Sequence, residues 1–207
     1  MHYCHSCDSQ IAMEPHDGFA ICPICGRMDD GAAVRPLLVV TGASGSGKTA
    51  VLAPLARLLT GRCIAFDVDW LIDAARDLGN GPPVRWPAFQ EAWLAIAHGV
   101  AQSGMPTVLL GPFIPRHLEK LSARRWVSDI YFSLLDCPDD VRRDRIKTRP
   151  TWRRHDVEGQ VGFGKWLRTH IDHHFDTNEG TPEDIAVAIS AWVIDRMTSP
   201  RSQQEDS

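Results

Sequence analysis

The sequence predicts an α/β fold, a five-stranded parallel sheet with helices on both faces, preceded by a small zinc ribbon. Three observations predict it. Short apolar, β-branched runs alternate with helical stretches over residues 36–199, the pattern of parallel strands joined by crossover helices. One strand-to-helix junction holds Gly42-Ala43-Ser44-Gly45-Ser46-Gly47-Lys48-Thr49, which fits the phosphate-loop pattern G-x-x-x-x-G-K-S/T. Residues 1–30 carry the pairs Cys4/Cys7 and Cys22/Cys25, spaced C-x2-C-x14-C-x2-C.

That spacing lets four thiolates converge tetrahedrally on Zn²⁺, with Zn–S bonds of about 2.3 Å. The second knuckle, Cys22-Pro23-Ile24-Cys25-Gly26, looks like a zinc-ribbon turn, since glycine suits a tight bend that aims N–H groups at sulfur. Phe19-Ala20-Ile21 reads as a short strand between the knuckles. So small a segment has too little core to fold unaided, and the metal supplies the missing stability. Disulfides or free thiols are the alternatives. His2, His5 and His16 are spare, because four cysteines already fill the site. Residues 31–35 read as a linker.

The first strand of the larger part is the apolar run 37–40, and a helix over 49–59 follows the glycine loop, with Pro54 a kink or first-turn irregularity. In this setting backbone N–H groups close around phosphate oxygens and the helix N-terminus adds favourable dipole. Gly42 through Thr49 are therefore the expected nucleotide-binding residues: Lys48 reaches the β- and γ-phosphates of ATP and the Thr49 hydroxyl ligates Mg²⁺. A second strand over 62–67 ends at Asp67. A short helix over 70–78 is broken by Gly79-Asn80-Gly81-Pro82-Pro83. Apolar residues at 89, 93, 96, 97 and 100 mark a helix over 87–103, ended by Gly104 and Pro106. A third strand over 107–111, a short helix over 116–122 and a fourth strand over 128–135 come next, with Asp136-Cys137 at the last strand's end. The helix over 138–149 starts with Pro138 and carries Asp139 and Asp140 in its first turn, where negative charge is favoured. Residues 152–164 read as a polar, glycine-bearing loop and 165–171 as a helix. Phe175 sits in a short fifth strand ending near Asp176. Thr181-Pro182-Glu183-Asp184 starts a final helix that buries Ile185, Ile189, Trp192 and Val193, and 200–207 read as a disordered tail. In parallel sheets ligands bind at the carboxyl ends of the strands, where the phosphate loop, Asp67, Gly111 and Cys137 all fall.

Composition narrows the setting. The 207 residues are 43% hydrophobic with a net charge of -4, so nothing global argues for a membrane or nucleic-acid partner. No apolar run reaches the roughly 18 residues of a membrane span, and the N-terminus lacks the apolar stretch of a secretory signal. Paired C-x-x-C motifs speak for metal binding in a reducing compartment, and the expected location is cytoplasmic.

Residues 36–199 resemble the small P-loop kinases related to adenylate, shikimate and gluconate kinases. Beyond the phosphate loop, the resemblance rests on three segments. Phe66-Asp67-Val68-Asp69 follows the second strand. In those enzymes a D-x-D pair there shares metal-water and substrate contacts, which implies Asp67 beside Mg²⁺ and Asp69 as the carboxylate that orients the acceptor hydroxyl. Helix N-capping is the other use of Asp69. Cys137 through Pro150 resembles the arginine-bearing helix that leads into a lid. Arg142, Arg145 and Arg149 share one face, with Arg153 and Arg154 beyond, and the resemblance implies Arg145 and Arg149 as contacts to ATP phosphates. Asp176-Thr177-Asn178 resembles the loop that meets the adenine, which implies Asp176 as a nucleotide contact; a plain strand-to-helix turn is the alternative.

The expected activity is ATP-dependent phosphoryl transfer to a small hydroxylated or phosphorylated metabolite, a nucleoside or nucleotide among the candidates. A sugar or antibiotic hydroxyl is the near alternative. Two further readings are a nucleic-acid-directed protein and a nucleotide sensor whose ribbon docks a partner. Against the first, residues 1–30 hold Arg27 as their one basic Lys/Arg side chain beside Asp8, Glu14, Asp17, Asp29 and Asp30. Asp156-Val157-Glu158-Gly159 matches a GTPase-like D-x-x-G, but no N-K-x-D accompanies it. His170 and His174, placed one turn apart on a helix, are a possible metal pair with His173 beside them. Arg116, just after the third strand, sits where a substrate anion can be held; His117, Lys120, Arg124 and Arg125 extend that basic cluster.

Overall fold

The computed structural model of the chain describes residues 2–4, 6–11, 13–16, 19–29, 35–78, 84–150 and 156–198. The cysteine segment is built from short antiparallel strands. β1 (His2–Cys4) pairs with β2 (Ser9–Ile11), while β3 (Glu14–His16), β4 (Phe19–Ile21) and β5 (Met28–Asp29) make a three-stranded sheet. Each knuckle is closed by a backbone bond, Cys7 N–H to Cys4 C=O at 3.2 Å and Gly26 N–H to Cys22 C=O at 2.9 Å. Cys4, Ile11, Met13 and Cys22 form the small core, and Trp126 from the larger part packs against it. Of the expected linker, residues 31–34 lie outside the described residues and Arg35 already belongs to the next strand.

The larger part runs β6 (Arg35–Thr41), α1 (Lys48–Leu58), β7 (Ile64–Asp67), α2 (Ile72–Leu78), α3 (Trp86–Ala101), β8 (Thr107–Gly111), α4 (Pro115–Leu118), β9 (Val127–Asp136), α5 (Asp139–Lys147), α6 (Val157–Arg168), β10 (His174–Asp176) and α7 (Pro182–Thr198). The sheet order is β10-β9-β6-β8-β7, with every pair parallel. β6 is central and covered on both faces, which is why its sequence is continuously apolar rather than alternating. Successive residues still point to opposite sides. Leu38 and Val40 enter a core with Leu55, Ile189 and Trp192 from α1 and α7, while Leu37 and Val39 enter one with Phe89, Trp93 and Leu94 from α3. This central position puts the phosphate loop in the middle of the sheet's carboxyl edge. α7 begins with a reciprocal cap: Thr181 Oγ1 accepts from Asp184 N–H at 3.2 Å, and the Asp184 carboxylate accepts from Thr181 N–H at 2.9 Å.

Three elements differ from the sequence reading. The stretch after Asp67 opens with a 3₁₀ turn, Val68–Leu71, before α2. The helix expected over 116–122 is the four-residue α4, and a second 3₁₀ turn spans Ser122–Trp126. The largest difference is α6, which begins at Val157, inside the stretch expected to be a loop. Its glycines lower intrinsic helix propensity, but packing outweighs this: Val161, Gly164 and Leu167 are buried at helical spacing, and Leu167 joins Leu134 and Ile171 in a core of their own. Gly164 is there for space. A methyl group on it would come within 3.1 Å of the buried Arg142 guanidinium, whereas one on Gly162 meets nothing within 4 Å. Gly162→Ala is therefore expected to stabilise the protein by up to about 1 kcal/mol. Gly164→Ala is expected to destabilise it by about 1–3 kcal/mol, both read by urea unfolding.

Candidate active site

The phosphate loop runs from the end of β6 into α1. Gly45 and Gly47 hold φ of 84° and 96°, which side-chain-bearing residues rarely adopt, so the loop's shape requires glycine there. The Lys48 ammonium curls back over the loop and donates to Gly42 C=O at 2.6 Å, Ala43 C=O at 3.0 Å and Ser46 Oγ at 3.3 Å. Enclosed by these oxygens, it is pushed down to about 8 by desolvation, against the opposing pull of the Asp69 and Asp67 charges.

Asp67, at the end of β7, uses both carboxylate oxygens. One accepts from Thr49 Oγ1 at 3.2 Å, and the other accepts from Asp69 N–H at 3.0 Å. Asp67 is thus the N-cap of the 3₁₀ turn. The capping alternative weighed for Asp69 belongs to its neighbour, and Asp69 instead lines a cavity of about 460 Å³ together with Lys48 and Thr49. Also on the wall are Ser44 through Gly47, Arg145 and Arg149, and Thr177, Gly180, Thr181 and Pro182 after β10. Asp176 is not part of that wall; it accepts from Asn178 N–H at 2.8 Å in a side-chain-closed turn.

Behind the loop lies an ion-pair network. Arg142, expected in a phosphate-facing row with Arg145 and Arg149, is turned inward and is 0% exposed. It donates to the Asp136 carboxylate and, at 2.9 Å, to Ser44 C=O. Arg168 of α6 donates to the other Asp136 oxygen, to Asp139 at 2.8 Å and to Cys137 C=O at 2.8 Å. Arg145 reaches Gly45 C=O at 3.3 Å and both Thr177 Oγ1 at 2.8 Å and Thr177 C=O at 2.9 Å. Gln160 of α6 accepts from Ser44 N–H at 2.8 Å. Sequence reasoning missed Asp136, Arg168 and Gln160 as parts of the site. The one available signal was that Asp136 closes a strand at the functional edge.

The remaining candidates fall as follows. Arg153 and Arg154 lie outside the described residues. The histidine group does not form: His170 stacks on Trp166 at 3.8 Å, His173 lies against Phe175 and Trp192, and His174 sits in β10. Arg116 rests on the Trp166 ring at 5.5 Å, and among the described residues no carboxylate pairs with it. The cysteines do gather, with all four sulfurs within 4.8 Å of one another; Cys4–Cys25 and Cys7–Cys22 are each 3.8 Å apart. Disulfide sulfurs lie about 2.05 Å apart, so these are thiols. Sulfurs placed tetrahedrally at about 2.3 Å from a centre lie about 3.8 Å from each other, so the set fits Zn²⁺. The Cys25 and Ile24 N–H groups facing Cys22 draw its thiol down to about 7, while hydrogen bonding to the Cys25 thiol pushes Cys7 up to about 12.

No protein-family model and no curated protein matches the sequence. Solved structures do. A sugar kinase from Janibacter sp. matches with a TM-score of 0.57 at 20% identity, over 77% of this chain and 95% of that one. The tunicamycin resistance protein of Deinococcus radiodurans gives 0.54 at 22% identity, over 77% and 95%. The APS kinase of Mycobacterium tuberculosis, solved with AMPPNP and APS, gives 0.54 at 19% identity, over 80% and 99%. The chain has the P-loop kinase fold. Within that fold the cavity described above occupies the carboxyl edge of the sheet, where α/β proteins bind their ligands. No helix among the described residues is long and apolar enough to cross a membrane.

Proposed function

We propose that the protein is an ATP-dependent phosphotransferase acting on a small hydroxylated or phosphorylated acceptor, a nucleoside or nucleotide among the candidates. The observation that carries the reading is the convergence of Lys48, Thr49 and Asp69 on one cavity at the carboxyl ends of β6 and β7, with Asp67 bonded to the Thr49 hydroxyl behind it. Loop N–H groups and Lys48 take the phosphates, and the turn after β10 takes the base, with Asp176 shaping that turn through Asn178 N–H rather than touching the nucleotide. Thr49 and Asp67 are the residues to hold Mg²⁺, which when bound neutralises charge on the transferred and leaving groups. The acceptor oxygen bonds to the γ-phosphorus as the bond from that phosphorus to the β-bridging oxygen breaks. The hydroxyl proton passes to the Asp69 carboxylate, and ADP leaves. Arg145 and Arg149 meet phosphate charge from the cavity wall, whereas Arg116, on the Trp166 ring, is not among the residues of that wall. Sugar or antibiotic hydroxyls are the near alternative, in line with the names of the similar structures. A panel of nucleosides, nucleotides, sugars and hydroxylated antibiotics with Mg-ATP, read by ADP release, tests the reading. Release that depends on one acceptor class supports it; a protein that neither binds ATP nor responds to any acceptor refutes it.

The two aspartates separate the roles. Asp69→Asn is expected to lower acceptor-dependent turnover by about 10²-fold or more with ATP affinity nearly unchanged. Asp67→Asn is expected to weaken the Mg²⁺ dependence, read by titrating Mg²⁺ at fixed ATP. Asp69→Asn at full turnover would remove Asp69 from the chemistry.

Lys48 gives a pH signature. Its free-protein value of about 8 lies below that of the phosphate-bound ammonium, so binding takes up a proton once the pH reaches about 8. ATP affinity is expected to be complete below about pH 8 and to fall by up to about tenfold per unit above it. Calorimetry at pH 8.5 in two buffers of different ionisation enthalpy should show proton uptake, absent in Lys48→Ala, which is also expected to abolish transfer while keeping the fold.

The four thiols are expected to hold one structural Zn²⁺ per chain, a closed site with no open position for water. Elemental mass spectrometry of protein purified without added zinc checks this. Stripping the metal is expected to red-shift the tryptophan emission, less so in Trp126→Phe. Metal-free protein with intact free thiols would contradict it.

A further inference from the structure

Ser44, the third residue of the phosphate loop, is held at both of its backbone polar atoms by side chains from outside the loop. Its N–H donates to Gln160 Oε1 at 2.8 Å, and its C=O accepts from Arg142 Nη1 at 2.9 Å. These atoms belong to the two peptide planes flanking Ser44. Fixing both planes fixes its φ and ψ, and with them the direction in which the N–H groups that follow are aimed. The two restraints have a common origin. Gln160 and Gly164 are one turn apart on α6 and so share a face. Gln160 touches the loop directly, and Gly164 lets the helix close on Arg142, which touches it from the other side.

We infer that Gln160 is a positioning residue that sets the phosphate-binding shape of the loop through Ser44 N–H; this rests on the phosphotransferase reading above. The chemistry of the side chain fits the task. The loop is built to receive phosphate charge, so whatever accepts from Ser44 N–H must be an oxygen without a negative charge. A carboxylate at the same reach would make the bond but repel the ligand. An apolar side chain would leave the N–H free to turn. Glutamine supplies a neutral oxygen at the end of a side chain long enough to cross from α6.

The test compares Gln160→Ala and Gln160→Glu with wild type by two measurements. Hydrogen exchange at the Ser44 amide of the free protein reports the bond itself. Binding of ATP, ADP and AMP reports its consequence, because only the first two present the β-phosphate that the loop encloses. Gln160→Ala is expected to speed Ser44 exchange about tenfold and to weaken ATP and ADP about three- to tenfold, with AMP unchanged. Gln160→Glu is expected to keep Ser44 protected yet weaken ATP more than ADP, an effect reduced by salt. The inference is overturned if Gln160→Ala binds ATP and ADP within twofold of wild type, loses AMP equally, or binds ATP more tightly. Wild-type protein that binds no ATP would end the phosphotransferase reading and this inference with it. Unchanged Ser44 exchange in Gln160→Ala, with wild-type ATP binding intact, would end the inference alone.

Discussion

The buried carboxylate of Asp136 holds the functional end of this molecule together. Its two oxygens take Arg142 and Arg168, from two different helices, while its backbone C=O accepts from Thr177 N–H at 2.8 Å and Thr177 Oγ1 at 2.9 Å. One residue at the end of β9 therefore seats α5, α6 and the turn after β10. A carboxylate at this depth is costly unless both oxygens are satisfied, and one N–H from each arginine satisfies them. Breaking one partner would leave a buried charge behind, at a cost of about 3–5 kcal/mol.

The phosphate loop inherits its shape from that arrangement. Glycine gives the loop freedom to bend back on itself but does not choose one bend. The choice is made by Arg142 on Ser44 C=O, Arg145 on Gly45 C=O and Gln160 on Ser44 N–H. Arg145 also grips Thr177, so the phosphate end and the opposite wall of the cavity are tied through one guanidinium. Preorganised N–H groups bind charge without first having to be ordered, which on the phosphotransferase reading is the use of so many restraints on a glycine-rich loop.

The fold and the loop were legible in the sequence because they rest on local pattern. The apolar run 37–40 and the Thr181–Asp184 cap each announce themselves within a few residues, and the strands and helix start follow them, whereas the place of Asp67 beside Thr49 was implied by the resemblance to small kinases. α6 was hidden because its helicity comes from packing against Leu134 and Arg142, not from its own glycine-bearing composition. Arg142 was misplaced for a related reason. The face shared by Arg142, Arg145 and Arg149 is readable, but which of them turns inward depends on Asp136, and that pairing is visible only once β9 and α5 are folded together. Gln160 carried no signal at all, since a single glutamine 116 residues from its partner fits any polar surface.

ATP and acceptor are proposed to meet in the cavity between Lys48 and Asp69. A crystal structure with Mg²⁺ and AMPPNP tests this. The β- and γ-phosphates are expected within the Gly42–Thr49 loop, the metal beside Thr49 and Asp67, and the Asp69 carboxylate facing the position in line with the γ-phosphorus. Phosphates bound elsewhere on the chain, or Asp69 turned away from the in-line position, would contradict it.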